Sequence, residues 1–229
     1  MLSLNETVVC MIGDFHIHSK YSSDSVMEPR KVLKIAKSKG FDTIAITDHN
    51  TIRGALEAKK FENDIGIQVI IGSEIRTDIG DIIGLKLERE VESRSWDMVI
   101  SEIKDQGGIV ILPHPYRGHT MVSEVAKKVD LIEVWNARCH PEQNNKALEL
   151  ATSLRCGTIM GSDAHLYSEL GNVRVRSNPM TLATEEVLGR EYAISREIRW
   201  SQVVGHIRKG DIVNLLSLGG KYIWKKITC

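Results

Sequence analysis

Three segments far apart in this chain end in the same way. A strand-like apolar run gives way to Asp14-Phe15-His16-Ile17-His18, to Thr47-Asp48-His49-Asn50 and to Gly161-Ser162-Asp163-Ala164-His165. One histidine at a strand end says little. Imidazoles and carboxylates at the ends of several successive strands constrain the fold, because strand ends in an α/β protein converge on one edge. The chain reads as one built to hold divalent cations at the mouth of a barrel.

The intervening residues alternate between strand and helix periodicities. Strands are expected over 8–12, 43–47, 67–71, 109–112, 131–135 and 157–161, each a short apolar run of the kind buried on both faces. Pro29 opens a helix with Val32, Leu33, Ile35 and Ala36 as its buried stripe and Gly40 as its stop. Further helices are expected over 52–62, from Trp96 (capped by Ser95) to Gly107, and over 122–127, 142–154 and 200–208, the last closed by Gly210. Gly80-Asp81 within 75–85 predicts a hairpin. Past His165 the pattern weakens to a short strand at 173–175, and the tail after Leu216 has no assignment beyond a solvated Lys225-Lys226. Strand–helix alternation implies parallel strands with crossover helices. Ligand-type residues after nearly every strand favour closure into a barrel, since an open sheet gathers its site at one switch point. One domain over 1–229 is expected, with its core at about 14–210 and a tail at about 211–229.

Composition excludes several classes. The 30 basic and 30 acidic residues cancel, so no bulk field draws the chain to nucleic acid or membrane. Cys10, Cys139, Cys156 and Cys229 form no CxxC pair, which argues against structural zinc and a disulfide framework. The first residues lack a basic n-region and a signal-length apolar core, and no apolar run approaches the ~20 residues a bilayer needs. A cytoplasmic protein with free thiols, no membrane association and no obvious protein partner is the expectation.

His16 and His18 sit at i and i+2, on one side of an extended chain, where two imidazoles can share one ion. Asp163 and His165 repeat that spacing; Asp24 lies in a following loop, His49 and Glu74 close the second and third strands, and His114 stands between Pro113 and Pro115. These eight N and O donors suit Zn²⁺, Mn²⁺ or Fe²⁺. They exceed the needs of one ion, so two or three are implied, with Glu74 as the bridge. Two ions about 4 Å apart suit displacement at phosphorus.

Taken together, the DxHxHS segment, the acidic residue six positions on, TDHN, a strand-end Glu, HP and GSDAH resemble the PHP (polymerase and histidinol phosphatase) family from Asp14 to Gly210. The resemblance implies a distorted (β/α)7 barrel of PHP type, TIM-barrel-like, with a trinuclear or dinuclear site. Carried over residue by residue, His16, His18, Glu74 and Asp163 would hold one ion, Glu74 and His114 would share a second, and Asp24, His49 and His165 would hold the third. Some members place another His or Cys after the strand matched by 131–135; here Glu133 and Asn136 stand nearest and are expected to support the site. Asp14 and Asp48 are expected to orient neighbouring imidazoles. The implied activity is a metal-dependent phosphoesterase that uses metal-activated water on a small phosphorylated substrate such as a nucleotide, nucleotide bisphosphate or short oligonucleotide. His114, His165 and Asp163 are the candidate catalytic residues, with His114 or His165 protonating the leaving oxygen. Arg117 and Arg138 are candidates to grip phosphate and Tyr21 to stack on a base.

Blander readings apply to several residues. His140 and His206 fit ordinary structural histidines, His119 is intermediate, Trp96 and Trp200 fit helix cores, and Cys139 fits a buried free thiol. Salt-bridged roles compete for both arginines, and loop packing competes for Tyr21. Rival functions are a 5′–3′ exonuclease on short RNA or DNA, which needs a basic track and steep salt dependence, a histidinol-phosphate phosphatase, which tends to carry His where this chain has Asp24, and a non-catalytic metal-binding module.

Overall fold

Unbroken apolar runs become strands covered on both faces. The clearest is Thr43–Ile46, all four residues of which are buried. The computed structural model describes residues 10–212 and 214. In chain order these form β1 (Met11–Asp14), α1 (Pro29–Ser38), β2 (Thr43–Ile46), α2 (Arg53–Lys59), α3 (Glu62–Ile65), β3 (Gln68–Thr77), β4 (Gly80–Leu85), α4 (Trp96–Lys104), β5 (Ile109–Leu112), α5 (Val122–Ala126), β6 (Leu131–Asn136), α6 (Pro141–Leu154), β7 (Gly157–Gly161), β8 (Val173–Ser177), β9 (Thr184–Arg190) and α7 (Ser195–Lys209).

One sheet runs in the order β7-β6-β5-β4-β3-β2-β1-β8-β9. Beyond the ends of β7 and β1, Ala164 forms a parallel bridge with Ile17 and accepts from the His18 N–H at 2.8 Å. The sheet is thus bent into a nearly closed barrel, as the ligand pattern implied. Outside it, Ile44 and Ile46 pack with Val32, Leu33 and Ala36 of α1 and Ala55 and Ala58 of α2. Burying each such Val, Leu or Ile side chain contributes roughly 1.5–3 kcal/mol. Pro29 occupies the first turn of α1, where its missing N–H costs nothing. Inside, Phe15, Ile83, Ile111, Ile159 and Met160 surround a small void directly beneath His16 and Glu133. The polar cluster therefore rests on an apolar plug.

The sheet is mixed: the crossover units are parallel as expected, and the hairpin expected at Gly80-Asp81 adds an antiparallel strand. The β1–β2, β2–β3, β5–β6 and β6–β7 pairings are parallel. The hairpin strand β4 is antiparallel to both β3 and β5, and β8 is antiparallel to β1 and β9. The hairpin inserts a strand without a crossover helix. β9 carries no apolar run because most of its residues are exposed or half-buried, which is why alternation gave no sign of it. β3 runs on through Glu74 to Thr77 because β4 pairs with it along that length. The helix expected over 52–62 breaks into α2 and α3 around Phe61, and α7 begins at Ser195, ahead of the expected 200. Trp200 is a correction: 56% of it is exposed, so it does not fill a helix core. Val8 and Val9 of the expected first strand, and the tail assignments at 213 and 215–229, lie outside the described residues. Among the described residues, no helix is long and apolar enough to cross a membrane.

Candidate metal centre

Past β1 the chain stays extended, so His16 and His18 project to the same side with ring centroids 5.2 Å apart. Both Nε2 atoms face the same two carboxylates. His16 Nε2 lies 3.5 Å from both Glu74 Oε2 and Asp163 Oδ1; His18 Nε2 lies 3.2 and 3.3 Å from the same atoms. Glu74 also meets His49 Nδ1 at 3.2 Å and His114 Nε2 at 2.9 Å. One carboxylate, 1% exposed, thus touches four imidazoles. Asp24 Oδ2 completes a second group, 3.4 Å from His49 Nε2 and 3.3 Å from His165 Nε2. All eight expected ligands converge on one cluster.

The buried supports fix which ring nitrogen faces inward. His16 Nδ1 lies 2.8 Å from Glu133 Oε1. His165 Nδ1 lies 2.7 Å from the Asp163 carbonyl, an acceptor only. His18 Nδ1 meets Ser22 Oγ at 3.0 Å, and that hydroxyl donates to Asp48 Oδ1 at 2.8 Å, so it accepts from the ring. In the neutral ring each Nδ1 carries the proton and each Nε2 turns a lone pair inward. The His16 and His18 Nε2 atoms are buried without a hydrogen-bond partner, as is Asp24 Oδ1. Buried polar atoms without partners are costly. Four groups of donors, each with ligand atoms within 4.8 Å of one another, could accommodate cations: His18–Asp24–His49–His165, His16–His18–Glu74, His16–His114–Asp163 and Glu74–Asp81–His114. The residues fit divalent metal ions.

Electrostatics point the same way. Burial opposes charge on Glu74, yet His49 and His16 outweigh it and hold the carboxyl well below the usual range. Burial likewise opposes ionisation of Asp163, and Arg117 followed by His16 overcomes it. For His18, burial disfavours protonation but contacts to Asp163 and Glu74 win, raising its pKa to about 10. His165 goes the other way: burial, then the neighbouring His18, lower it to about 4. Without a cation, protons take up part of the compensation that metal charge supplies.

The supports differ in detail from their expected roles. Glu133 holds His16 with one oxygen; with the other it accepts from the His114 N–H at 2.8 Å and from Asn136 Nδ2 at 3.0 Å. Asn136 also donates to Asp163 Oδ2 at 3.2 Å. An added Cβ at Gly161 would lie 2.4 Å from His16 Cβ and 2.5 Å from Glu133 Oε1, so the pair requires glycine there. Asp14 and Asp48 orient no imidazole directly, against expectation. Asp14 Oδ1 accepts from the backbone N–H groups of Ser162 and His16, at 3.1 and 3.4 Å, and burial raises its pKa to about 7. Asp48 accepts from the Ser19 and Ser22 backbones and hydroxyls and reaches His18 only through Ser22. His114 is held at φ 29°, between the usual regions for a non-glycine residue, fixed by its N–H bond to Glu133.

The phosphate-binding candidates separate. Arg117 donates to Asp163 Oδ2 at 2.5 Å and to Asn136 Oδ1 at 3.3 Å, with 35% of its side chain exposed. It lines a cavity of about 1070 Å³ over the cluster, with Arg76, Tyr192, Ile198 and Gln202. Arg138 lines the same cavity, but its side chain is only 7% exposed, pairs with Glu169 Oε1 at 3.3 Å and donates to Ser201 Oγ. Tyr21 does not line the cavity; its ring lies under Arg53 and Lys20. His140 and His206 join none of the four groups, and neither does His119, which meets the Asp81 carbonyl at 2.7 Å. Cys139 is a buried free thiol.

Sequence reasoning missed Asp81 and Glu169. In the hairpin Glu74 pairs with Ile83 and Arg76 with Asp81, which puts Glu74 and Asp81 on one face. The hairpin was legible, but its register was not. Glu169 Oε2 accepts from the His165 and Leu166 N–H groups at 2.8 and 2.9 Å.

Comparison with known proteins places this geometry. The PHP domain family model matches residues 14–186. An uncharacterised Methanocaldococcus jannaschii protein, MJ0417, is 31% identical over 182 residues, covering 74% of this chain and 71% of that one. Another from the same organism, MJ1587, is 51% identical over 117 residues, covering 46% and 68%. The crystal structure of a two-domain Bacteroides vulgatus protein containing a predicted PHP-like metal-dependent phosphoesterase superposes with a TM-score of 0.65 at 18% identity, covering 84% of this chain and 69% of that one.

Proposed function

This chain belongs to the PHP domain family, and from that premise we propose that it is a hydrolase of small phosphate esters. The observation that carries the reading is Glu74, a buried carboxylate within 3.5 Å of His16, His18, His49 and His114. Few arrangements other than a multinuclear cation site leave imidazole Nε2 atoms buried, without partners and facing shared carboxylates. His16, His18, Glu74 and Asp163 would hold one ion, Glu74 and His114 a second with Asp81 beside them, and Asp24, His49 and His165 a third. Mn²⁺, Zn²⁺ or Fe²⁺ bound there would polarise phosphoryl oxygens and lower the pKa of water.

The protein supplies the rest. Arg117, braced by Asp163 and Asn136, presents its guanidinium to a phosphoryl group entering the cavity and stabilises negative charge on its oxygens. Asp163 serves twice, as a ligand and as the anchor of that arginine. His165 gives its Nδ1 proton to a carbonyl and turns Nε2 to Asp24, which suits a ligand better than an acid. His114 Nδ1 is buried without a partner and Nε2 turns to Glu74, so His114 too suits a ligand, and the leaving oxygen takes its proton from water in the cavity. The cavity of about 1070 Å³ has room for a substrate of nucleotide size.

The test is release of inorganic phosphate from a panel of monoesters, nucleotides and nucleotide bisphosphates with added Mn²⁺, Zn²⁺ or Fe²⁺. We expect metal-dependent turnover that His16→Ala abolishes. No turnover of any ester by metal-loaded wild type, or unchanged turnover in His16→Ala, refutes the assignment.

A further inference from the structure

The C-terminal helix α7 grips the loop that carries Asp24. Arg208 donates to three backbone carbonyls of that loop: Nη1 to Ser22 at 2.8 Å and Ser25 at 2.7 Å, and Nη2 to Lys20 at 2.9 Å. One turn earlier, Gly205 is buried and its missing Cβ would lie 3.1 Å from Asp24 Cβ. Glycine is unfavourable within a helix, and here its absence of a side chain lets the helix backbone reach Asp24. Ser201, one turn earlier again, accepts from Arg138, whose guanidinium pairs with Glu169, which in turn holds the His165 backbone. Ser25 Oγ ties the His18 and His165 carbonyls together, at 3.1 and 3.0 Å. Both ends of the Asp24–His165 contact thus trace back to one helix.

We infer that Arg208 is a positioning residue that sets the Asp24 loop, so that α7 governs cation binding at Asp24, His49 and His165. The inference rests on the reading of that group as a cation site. Three carbonyls sharing one guanidinium fix the loop backbone without any contact to the cation itself. Loss of Arg208 frees 20–25 and lets Asp24 Oδ2 leave the space between His49 and His165. The inner group at His16, Glu74 and Asp163 has its own supports in Glu133 and Asn136 and stays intact.

The test loads wild type, Arg208→Gln, Arg208→Lys, Gly205→Ala and the control Ile207→Ser with Mn²⁺ or Zn²⁺. It reads bound metal by elemental analysis across a chelator series, with amide exchange over 20–25 in the metal-free proteins. Arg208→Gln is expected to bind one ion about 10–100-fold more weakly, to keep the others, and to exchange faster at 20–25. Arg208→Lys recovers part of the affinity. Gly205→Ala, a better helix former, weakens the same ion although the helix itself is favoured, and it decides the matter if Arg208→Gln fails to fold. Ile207 is exposed on the same helix, and Ile207→Ser behaves as wild type. If wild type binds its ions and both Arg208→Gln and Gly205→Ala hold them equally well, the inference is overturned while the cation site stands. If wild type binds no transition metal, the site reading falls and the inference falls with it.

Discussion

The inner and outer halves of the cluster are built differently. Inside, His16, Glu74, Asp163 and Glu133 are 1–2% exposed, rest on the apolar plug, and are cross-braced by Glu133 and Asn136. Outside, the Asp24 and His49 side chains are 25% and 22% exposed, and Asp24 comes from a loop held by another element. The inner half is preorganised by buried hydrogen bonds that tie Glu133 and Asn136 of β6 to the segments past β1, β5 and β7. The outer half is preorganised at a distance, through backbone contacts from α7. The difference teaches that one site can combine a fixed floor with an exchangeable rim, and it predicts unequal grip on the cations.

The largest expected effect is at the shared carboxylate. Glu74→Gln should remove cations from both halves and lower phosphate release by more than the ~10–100-fold that loss of an outer support costs, as read by elemental analysis and kinetics together. Retained metal in that variant breaks the picture of a common bridge. Next, Glu133→Gln should weaken the inner ion by roughly 10–100-fold and leave the outer one alone, because it takes the charged acceptor from His16 Nδ1. Equal weakening of both halves would erase the distinction between them. Asp24→Asn should do the reverse, at the modest end of that range, since its carboxylate is already partly hydrated. Smallest of all is Cys139. Burial raises its pKa to about 12, so below that pH it stays a thiol and should resist alkylation of the native protein at pH 8. Fast labelling there would mean that the cavity wall opens more readily than either half requires.

The sequence made the floor legible and the rim less so. Extended i, i+2 spacing put His16 beside His18, and strand-end placement brought His49, Glu74, His114 and Asp163 together, because barrel geometry turns sequence position into a shared edge. Asp81 escaped because alternation does not fix a hairpin's register. Arg117 and Arg138 gave the same signal, a cation just past a strand. Both line the cavity, and only the position of Glu169, a residue with no motif around it, decides that Arg138 is the more deeply buried of the two. Trp200 looked like core because apolar residues in a helical pattern do, yet α7 covers the site edge-on and leaves it exposed. The contacts of Arg208 with 20–25 join segments at least 183 residues apart in sequence, and local pattern carries no record of them.

The most direct test of the unequal halves is an equilibrium chelator titration of the metal-loaded protein, followed by elemental analysis. The account predicts two or three transition-metal ions per chain leaving in at least two phases, with the first phase moved to about tenfold lower chelator in Asp24→Asn. A protein that takes up no transition metal, or that loses all of it in one step unchanged by Asp24→Asn, would contradict it.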